Sequence, residues 1–562
     1  MNYNTRMNTA QDIKQAIAGA LASVGIEAAL ADIVLEHPAD ITHGDYATSV
    51  ALKYAKQAAK SPRDLAAAIV EKLGDVEGVA KIDIAGPGFI NFTLAPQAIA
   101  ESLDEARTQD MWGASDLQKG KKIMVEYTDP NPFKEFHIGH LMSNATGESI
   151  SRLLQFSGAE IKRACYQGDV GPHVAKAIWG IQKLELDPND AARLGQAYAA
   201  GAQAYESDAV AKAEIDKINV TVYDKSDSNI NSIYEKGREA SLGHFEDLYR
   251  ILGTAFDFYF FESETAPKGV AIVKAHPEVF EESEGAIVFK GEQYGLHTRV
   301  FINKLGLPTY EAKDLGLAEL KSEKISLDQS ITITAQEQSD YFKVVKKAME
   351  LVMPEIGSKV LHISHGMMRF AYGKMSSRTG NVITGESLLS ELSEAAKARA
   401  AESRADDKEK LAEQIAVAAI KYQILKQGSG KDIIFDRERA LSLEGDSGPY
   451  LQYAYARTNA ILSKAHEQGI KPVIDKDALP SEVTRLLHRF PEVVEKASAL
   501  LESHIVTQYL THLASSFNSW YAQEQILDGT PAAAHKAAVV EAVNRTLKNG
   551  LWVLGIPAPE KM

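Results

Sequence analysis

The chain has 562 residues, 45% hydrophobic and 24% charged, with a formal net charge of -15. That length is too great for one hydrophobic core and implies about three or four domains; the acidic balance argues against non-specific DNA coating, although a local basic patch still allows nucleic-acid binding. The single cysteine, Cys165, excludes an internal disulfide and any zinc site built from several cysteines, and it fits a reducing, cytoplasmic setting. No apolar run approaches the ~18 residues of a membrane span, and the start, MNYNTRMNTAQDIKQAI, lacks the apolar core of a secretion signal. No membrane partner is therefore expected.

Taken in chain order, helical periodicity covers residues 10–24 and 63–73. Between them, DITHGDYATSVALKYAK mixes a Gly-Asp turn with a helical pattern. Alternating residues in VAKIDIAGPGFINFTL, with Gly86-Pro87-Gly88 as the turn, predict a strand pair. A polar join follows at residues 108–122. KIMVEYT then reads as a buried strand, followed by a helix carrying Leu141, Ala145, Ile150, Leu153 and Leu154 and stopped at Gly158. IKRACYQ is the next strand, which makes a βαβ unit and hence a parallel sheet. Residues 181–250 read as a helical insertion. Strand and helix alternation resumes at RVFIN (299–303), with a helix over 312–322, the strand SITITA, a helix over 339–352 and the strand KVLHIS. After Glu386 the pattern is almost wholly helical. The expected fold is α/β: a split Rossmann-like catalytic domain over residues 113–385 with its insertion, a small α/β N-terminal domain over 1–112, and an all-α domain over 386–562.

Two stretches carry chemistry. In EYTDPNPFKEFHIGHLMSNATGESISRLL, His137 and His140 flank Gly139 where a parallel strand's turn enters a helix. Ligands of open parallel sheets sit at the carboxyl ends of strands, and a helix N-terminus offers free N–H groups to phosphates. Imidazoles add donors, and Gly139 leaves space for a flat base. Surface capping is the alternative use of such histidines. The second stretch, FAYGKMSSRTGNVITGESLL, follows KVLHIS and crowds Lys374, Ser376, Ser377, Arg378, Thr379 and Gly380 into a polar loop suited to a polyphosphate. Neither G-x-G-x-x-G nor G-x-x-x-x-G-K-[ST] occurs at these turns.

Together the two stretches resemble the His-Ile-Gly-His and Lys-Met-Ser-Lys-Ser signatures of class I aminoacyl-tRNA synthetases. The chain more closely resembles the arginyl-tRNA synthetase family, over almost its whole length. THGDYATSVALKYAK and IAGPGFINFTL resemble that family's N-terminal domain, which contacts tRNA; GDSGPYLQYAYARTNAIL and LKNGLWVLGIPAPEKM resemble its helical anticodon-binding domain. The resemblance implies that His137, Gly139, His140, Lys374, Met375, Ser376, Ser377 and Arg378 bind ATP, accompanied by Mg²⁺, with no metal held by the protein itself. Of these His137, His140 and Lys374, together with Lys134, would assist catalysis. It implies an arginine pocket of Glu126, Asp129, Asn131, Lys134, Tyr310, Asp314 and Gln338. Tyr450, Tyr453 and Arg457 would meet tRNA.

The pocket chemistry agrees with this assignment. A guanidinium is planar and always charged, and paired hydrogen bonds to carboxylates hold it best, with Glu126 and Asp314 as the expected carboxylates. Tyr310 and Asp314 are four residues apart and share a helical face, where a tyrosine ring can pack on the guanidinium. Lysine would leave acceptors unpaired. Departures stand out: Arg378 supplies the charge that a lysine gives in the broader class of synthetases, and, against the family, Met142 replaces an arginine and Asp129 stands where serine is common. The implied activity is ATP-dependent ligation of L-arginine to tRNA-Arg through an arginyl-adenylate, by a cytoplasmic monomer with no DNA partner. The alternatives are another class I synthetase or a non-catalytic tRNA-binding relative. A glutamate-specific pocket would be basic, a cysteine-specific one needs zinc, and a small adenylyltransferase needs no long helical domain.

Overall fold

A computed structural model describes residues 9–38, 40–371 and 383–562. The chain divides into two compact units. The first holds the described residues up to Ser115 together with Arg457–Val493 and Tyr509–Asn549. The second holds Asp116–Ala456, Val494–Gln508 and Gly550–Met562.

In the first unit, strands β1 (Tyr46–Thr48), β2 (Val79–Ala85) and β3 (Phe89–Leu94) form an antiparallel sheet in the order β1-β3-β2. The helices Thr9–Ser23 and Pro62–Leu73 cover it, the latter begun by Ser61, whose hydroxyl accepts the Asp64 N–H at 3.1 Å. This α/β piece does not stand apart from the helices of the same unit. Asp45 accepts the Leu94 N–H at 2.8 Å and pairs with Arg485, and the buried Tyr46 hydroxyl meets His488 at 3.1 Å and donates to Glu492.

The second unit is built on β4 (Lys122–Glu126), β5 (Glu160–Gln167) and β6 (Phe258–Phe261), a small antiparallel set β7 (Glu281–Ser283), β8 (Ala286–Phe289) and β9 (Arg299–Ile302), then β10 (Gln329–Ala335) and β11 (Val360–His365). The main sheet runs β11-β10-β4-β5-β6, every pair parallel. Alternation along β4 sends Ile123 and Val125 to one core with Ile150, Leu154 and Ile331, and Met124 to the other with Phe260, Leu317 and Leu320. Glu126 shares the face of Met124. The chain leaves β4 for β5 on one side and returns at β10 on the other, so the crevice at the carboxyl ends of β4 and β10 is the topological switch point, where such sheets bind ligands.

Two expectations need correction. RVFIN is a strand but joins β8 antiparallel instead of the parallel sheet, and β6, a short FYFF run, supplies the outer parallel strand. Four apolar residues carry no periodicity that distinguishes a sheet edge from a helix. The region after Glu386 is helical save for Ile433–Phe435, which pairs with Met368–Phe370.

Helices Pro172–Leu184, Ala191–Ser207, Ala209–Asp224 and Ser228–Leu252 pack on a shared core around Ile178, Leu194 and Ile215. Helices Glu262–Ala275 and Tyr310–Lys324 approach so closely that a Cβ on Gly269 would lie 1.9 Å from the Ala312 carbonyl oxygen, and one on Gly316 would lie 2.2 Å from that of Thr265. This contact sets the depth at which Tyr310 and Asp314 sit. Gly269→Ala should therefore lower unfolding free energy by roughly 1–3 kcal/mol through overpacking, read from the denaturant midpoint. An unchanged midpoint would show that the helices separate without cost.

Candidate functional site

A cavity of about 860 Å³ lies between the main sheet and the helices Tyr310–Lys324 and Ser339–Val352. Six of the seven residues expected to form an arginine pocket line it: Glu126, Asp129, Asn131, Tyr310, Asp314 and Gln338. They come from the end of β4, the turn after it, one helix and the turn after β10. Lys134 stands outside the lining, with its Nζ 5.0 Å from the centroid of the Tyr198 ring.

The turn is held under backbone strain. Thr128, Asp129 and Phe133 adopt φ of 80°, 49° and 68°, a region that residues with a side chain seldom enter. Specific bonds enforce it. The Thr128 N–H donates to Ser143 Oγ at 3.0 Å, Asn144 donates to Thr128 Oγ1 at 3.0 Å, and the Phe133 N–H donates to Ser241 Oγ at 2.9 Å. Asp129 accepts the Tyr166 N–H at 2.7 Å and Asn131 accepts the Gly168 N–H at 3.0 Å. A Cβ at Gly168 would fall 2.4 Å from Asn131 Oδ1, so this contact requires glycine. Asp129 thus both lines the cavity and ties the turn to β5.

Charge in the cavity is divided unevenly. Glu126 pairs with Lys321 at 2.6 Å and Glu262 with Lys313 at 2.5 Å, all four buried. Asp314 instead accepts the Tyr341 hydroxyl at 2.6 Å. Burial pushes its carboxyl up to about 7, opposed by the Tyr341 bond and helped by Glu126 and Glu262. Burial, then Glu126, also raises Asp129 well above the carboxylate range. Among the described residues, neither Asp129 nor Asp314 pairs with a lysine, and of the four acids Glu126, Asp129, Glu262 and Asp314 these two have most to gain from a cationic ligand. Glu126, expected to hold the guanidinium directly, is already held by the protein's own ammonium.

Beside the cavity, His137 is the N-cap of helix Ile138–Phe156. The His140 N–H donates to His137 Nδ1 at 3.4 Å, and the His137 N–H donates to His140 Nδ1 at 3.2 Å. An accepting Nδ1 leaves each neutral ring its proton on Nε2. Burial lowers both imidazoles, with Lys134 adding to the shift in each, and His140 falls further because it is the more deeply buried and also adjoins His137. The rings stack at 3.4 Å. Gly139 leaves the room that the His137 ring occupies, since a Cβ there would lie 2.9 Å from its Cε1. A helix N-terminus with two imidazole Nε2–H donors has the chemistry that suits an anion. Thr384 bridges to His137, and the Gly385 N–H donates to the Phe136 carbonyl at 2.8 Å, so the end of the second signature stretch meets the first. Lys374, Met375, Ser376, Ser377 and Arg378 lie outside the described residues. Met142 is buried, 2% exposed, so its side chain belongs to the interior.

The family described as "tRNA synthetases class I (R), catalytic domain" matches residues 102–437, "Arginyl tRNA synthetase N terminal domain" matches 11–94, and "DALR anticodon binding domain" matches 451–562. The chain belongs to the arginyl-tRNA synthetase family. The arginine–tRNA ligase of Clostridium perfringens is 31% identical over 556 residues, covering 94% of this chain and 96% of the relative. That of Streptococcus pneumoniae is 31% identical over 574 residues, covering 99% and 100%. The structure of Thermus thermophilus arginyl-tRNA synthetase superposes with a TM-score of 0.81 at 26% identity, covering 99% of this chain and all of that one.

Within this arginyl-tRNA synthetase fold, the sequence did not reveal Tyr166, Glu262, Lys321 and Tyr341. Lys321 was findable, seven residues after Asp314 and on the same helical face. Tyr341 lies three residues after Gln338. Nothing local marks Glu262. Among the residues expected to meet tRNA, Tyr450 and Tyr453 are half-buried on helix Gly448–Glu467. Arg457 bonds Asn518 and stacks on Tyr521 at 5.1 Å. Lys321→Met would strand the buried Glu126 charge and should cost roughly 3–5 kcal/mol of stability. Adding Glu126→Gln should recover much of it, and a double variant as unstable as the single one would refute the pairing.

Proposed function

We propose that this chain ligates L-arginine to tRNA-Arg with ATP. What carries the reading is the convergence of Glu126, Asp129, Asn131, Tyr310, Asp314 and Gln338 on one cavity beside the His137–His140 helix start. The arginine side chain enters the acidic cavity and places its guanidinium against Asp314 and Asp129 in charge-assisted hydrogen bonds, with Tyr310 at the mouth. The carboxylate end lies toward Asn131 and Lys134. The nucleotide phosphates take the helix N-terminus and the Nε2–H groups of His137 and His140, with Lys374, Met375, Ser376, Ser377 and Arg378 as further nucleotide-binding residues and Mg²⁺ accompanying the ATP.

An arginine carboxylate oxygen bonds the α-phosphorus while the bond to pyrophosphate breaks. The 2′-hydroxyl of the terminal tRNA adenosine then attacks the adenylate carbonyl, loses its proton, and AMP departs. No side-chain nucleophile takes part; alignment and neutralisation of phosphate charge supply the rate. We assign tRNA contact to residues 1–112, catalysis to 113–385 and anticodon binding to 386–562, the last with Tyr450, Tyr453 or Arg457 at the RNA. The reading places the enzyme in the cytoplasm as a monomer.

Arginine-dependent ATP–pyrophosphate exchange tests this directly, with lysine and glutamate as controls and with and without tRNA-Arg. The expected result is exchange with arginine alone among the amino acids, and only when tRNA is present. Folded protein that exchanges with none of them would overturn the reading. The guanidinium needs the Asp314 carboxylate, which is protonated below about 7 in the free protein. The arginine KM should therefore climb as pH falls below that value, approaching tenfold per unit, and stay level above it.

A further inference from the structure

We propose that Tyr341 is a positioning residue of this pocket: its hydroxyl fixes one oxygen of Asp314 so that the other faces the arginine guanidinium. The inference rests on the arginine reading of the cavity.

The geometry supports it in three steps. The fold satisfies Glu126 and Glu262 with Lys321 and Lys313, so neither turns freely to a ligand. Asp314 makes no ion pair among the described residues, and its polar contact is the Tyr341 hydroxyl, 2.6 Å from Oδ2. Donation to Oδ2 removes the carboxylate's freedom to rotate and leaves Oδ1 as the acceptor.

Tyr341 is itself held. It lies in the first turn of helix Ser339–Val352, and its ring packs edge-on against Phe342 at 5.2 Å. Phe342 stacks flat on His362 at 4.2 Å, and the His362 ring bonds Thr334 Oγ1 at 2.8 Å. The Arg299 guanidinium sits 5.7 Å from the Tyr341 ring centroid. Strands β10 and β11 thus fix the ring through His362. Asp314 is faced by Glu126, Asp129, Tyr166, Glu262, Lys321 and Tyr341, and Tyr341 by Asp314, Glu311, Tyr166 and Arg299. In this setting the Tyr341 bond favours the charged form of Asp314.

The test is Tyr341→Phe in the full-length chain, assayed by arginine-dependent exchange at saturating ATP and tRNA-Arg over pH 6–9. A hydrogen bond to a buried charge is worth enough to raise the arginine KM roughly tenfold or more at neutral pH, with kcat within about threefold. The acidic limb of kcat/KM should move to higher pH by about one unit. Asp314→Asn should remove the part of that limb that belongs to Asp314, leaving only what Asp129 contributes, and Tyr341→Phe added to Asp314→Asn should cost little more and leave the remaining limb unmoved, because Tyr341 acts through Asp314. If Tyr341→Phe is unstable, 3-fluorotyrosine at position 341 keeps the shape and strengthens the donor, and the limb should move to lower pH. A variant with wild-type arginine KM and an unmoved limb overturns the proposal, as does one that loses kcat alone. Wild-type protein that shows no arginine-dependent exchange overturns the arginine reading itself.

Discussion

Four carboxylates lining one cavity, two buried and two half-buried, are the constraint around which the catalytic unit is arranged. Glu126, Asp129, Glu262 and Asp314 converge at the end of the sheet, and a site largely withdrawn from water does not accept four unpaired anions. The fold answers with two lysines of its own, both on helix Tyr310–Lys324, and among the described residues leaves Asp129 and Asp314 without one. A carboxyl raised by burial contributes stability that is present below the ordinary carboxylate range and lost as pH rises, in the case of Asp314 through about 7. Near neutrality the empty site is thus a local source of instability, which a bound guanidinium would relieve.

That arrangement depends on close backbone contacts. Gly269 and Gly316 let two helices touch, which brings Asp314 and Lys321 down onto the end of β4. Gly168 allows Asn131 to reach the backbone of β5, and the left-handed residues Thr128, Asp129 and Phe133 turn the chain back into the helix that begins at His137. Strain at such a turn persists because Ser143, Asn144 and Ser241 bond it in place. The same turn serves both halves of the site, since one side supplies acids to the cavity and the other delivers the histidine pair.

The histidines show how two plain functions coincide. Capping the helix and binding an anion were alternative uses of His137 and His140 on sequence grounds, and the geometry permits both together. Each Nδ1 is spent on a backbone N–H of the cap, which leaves a neutral ring with an Nε2–H donor directed elsewhere. Such rings donate to phosphate oxygens without a proton to lose near neutral pH.

The sequence by itself determined the βαβ order and the helix start at His137, because hydrophobic period and capping chemistry are local and survive in one dimension. Short ordered motifs carried the resemblance to the family, and the grouping of Glu126, Asp129, Asn131, Tyr310, Asp314 and Gln338 came only through that resemblance. Only the tertiary structure decided that Glu126 is neutralised internally by Lys321, that Tyr341 bonds Asp314, and that Glu262 joins the cavity from a helix far away in the chain. It also placed FYFF in the parallel sheet and RVFIN outside it. It gathered the N-terminal α/β piece with helices from beyond Arg457 into one compact unit. The physical reason is common to all of these. A residue's type and period fix the backbone path and the face it presents, whereas ion pairing, strand partnership and burial depend on which distant surface arrives opposite, and that is decided by packing.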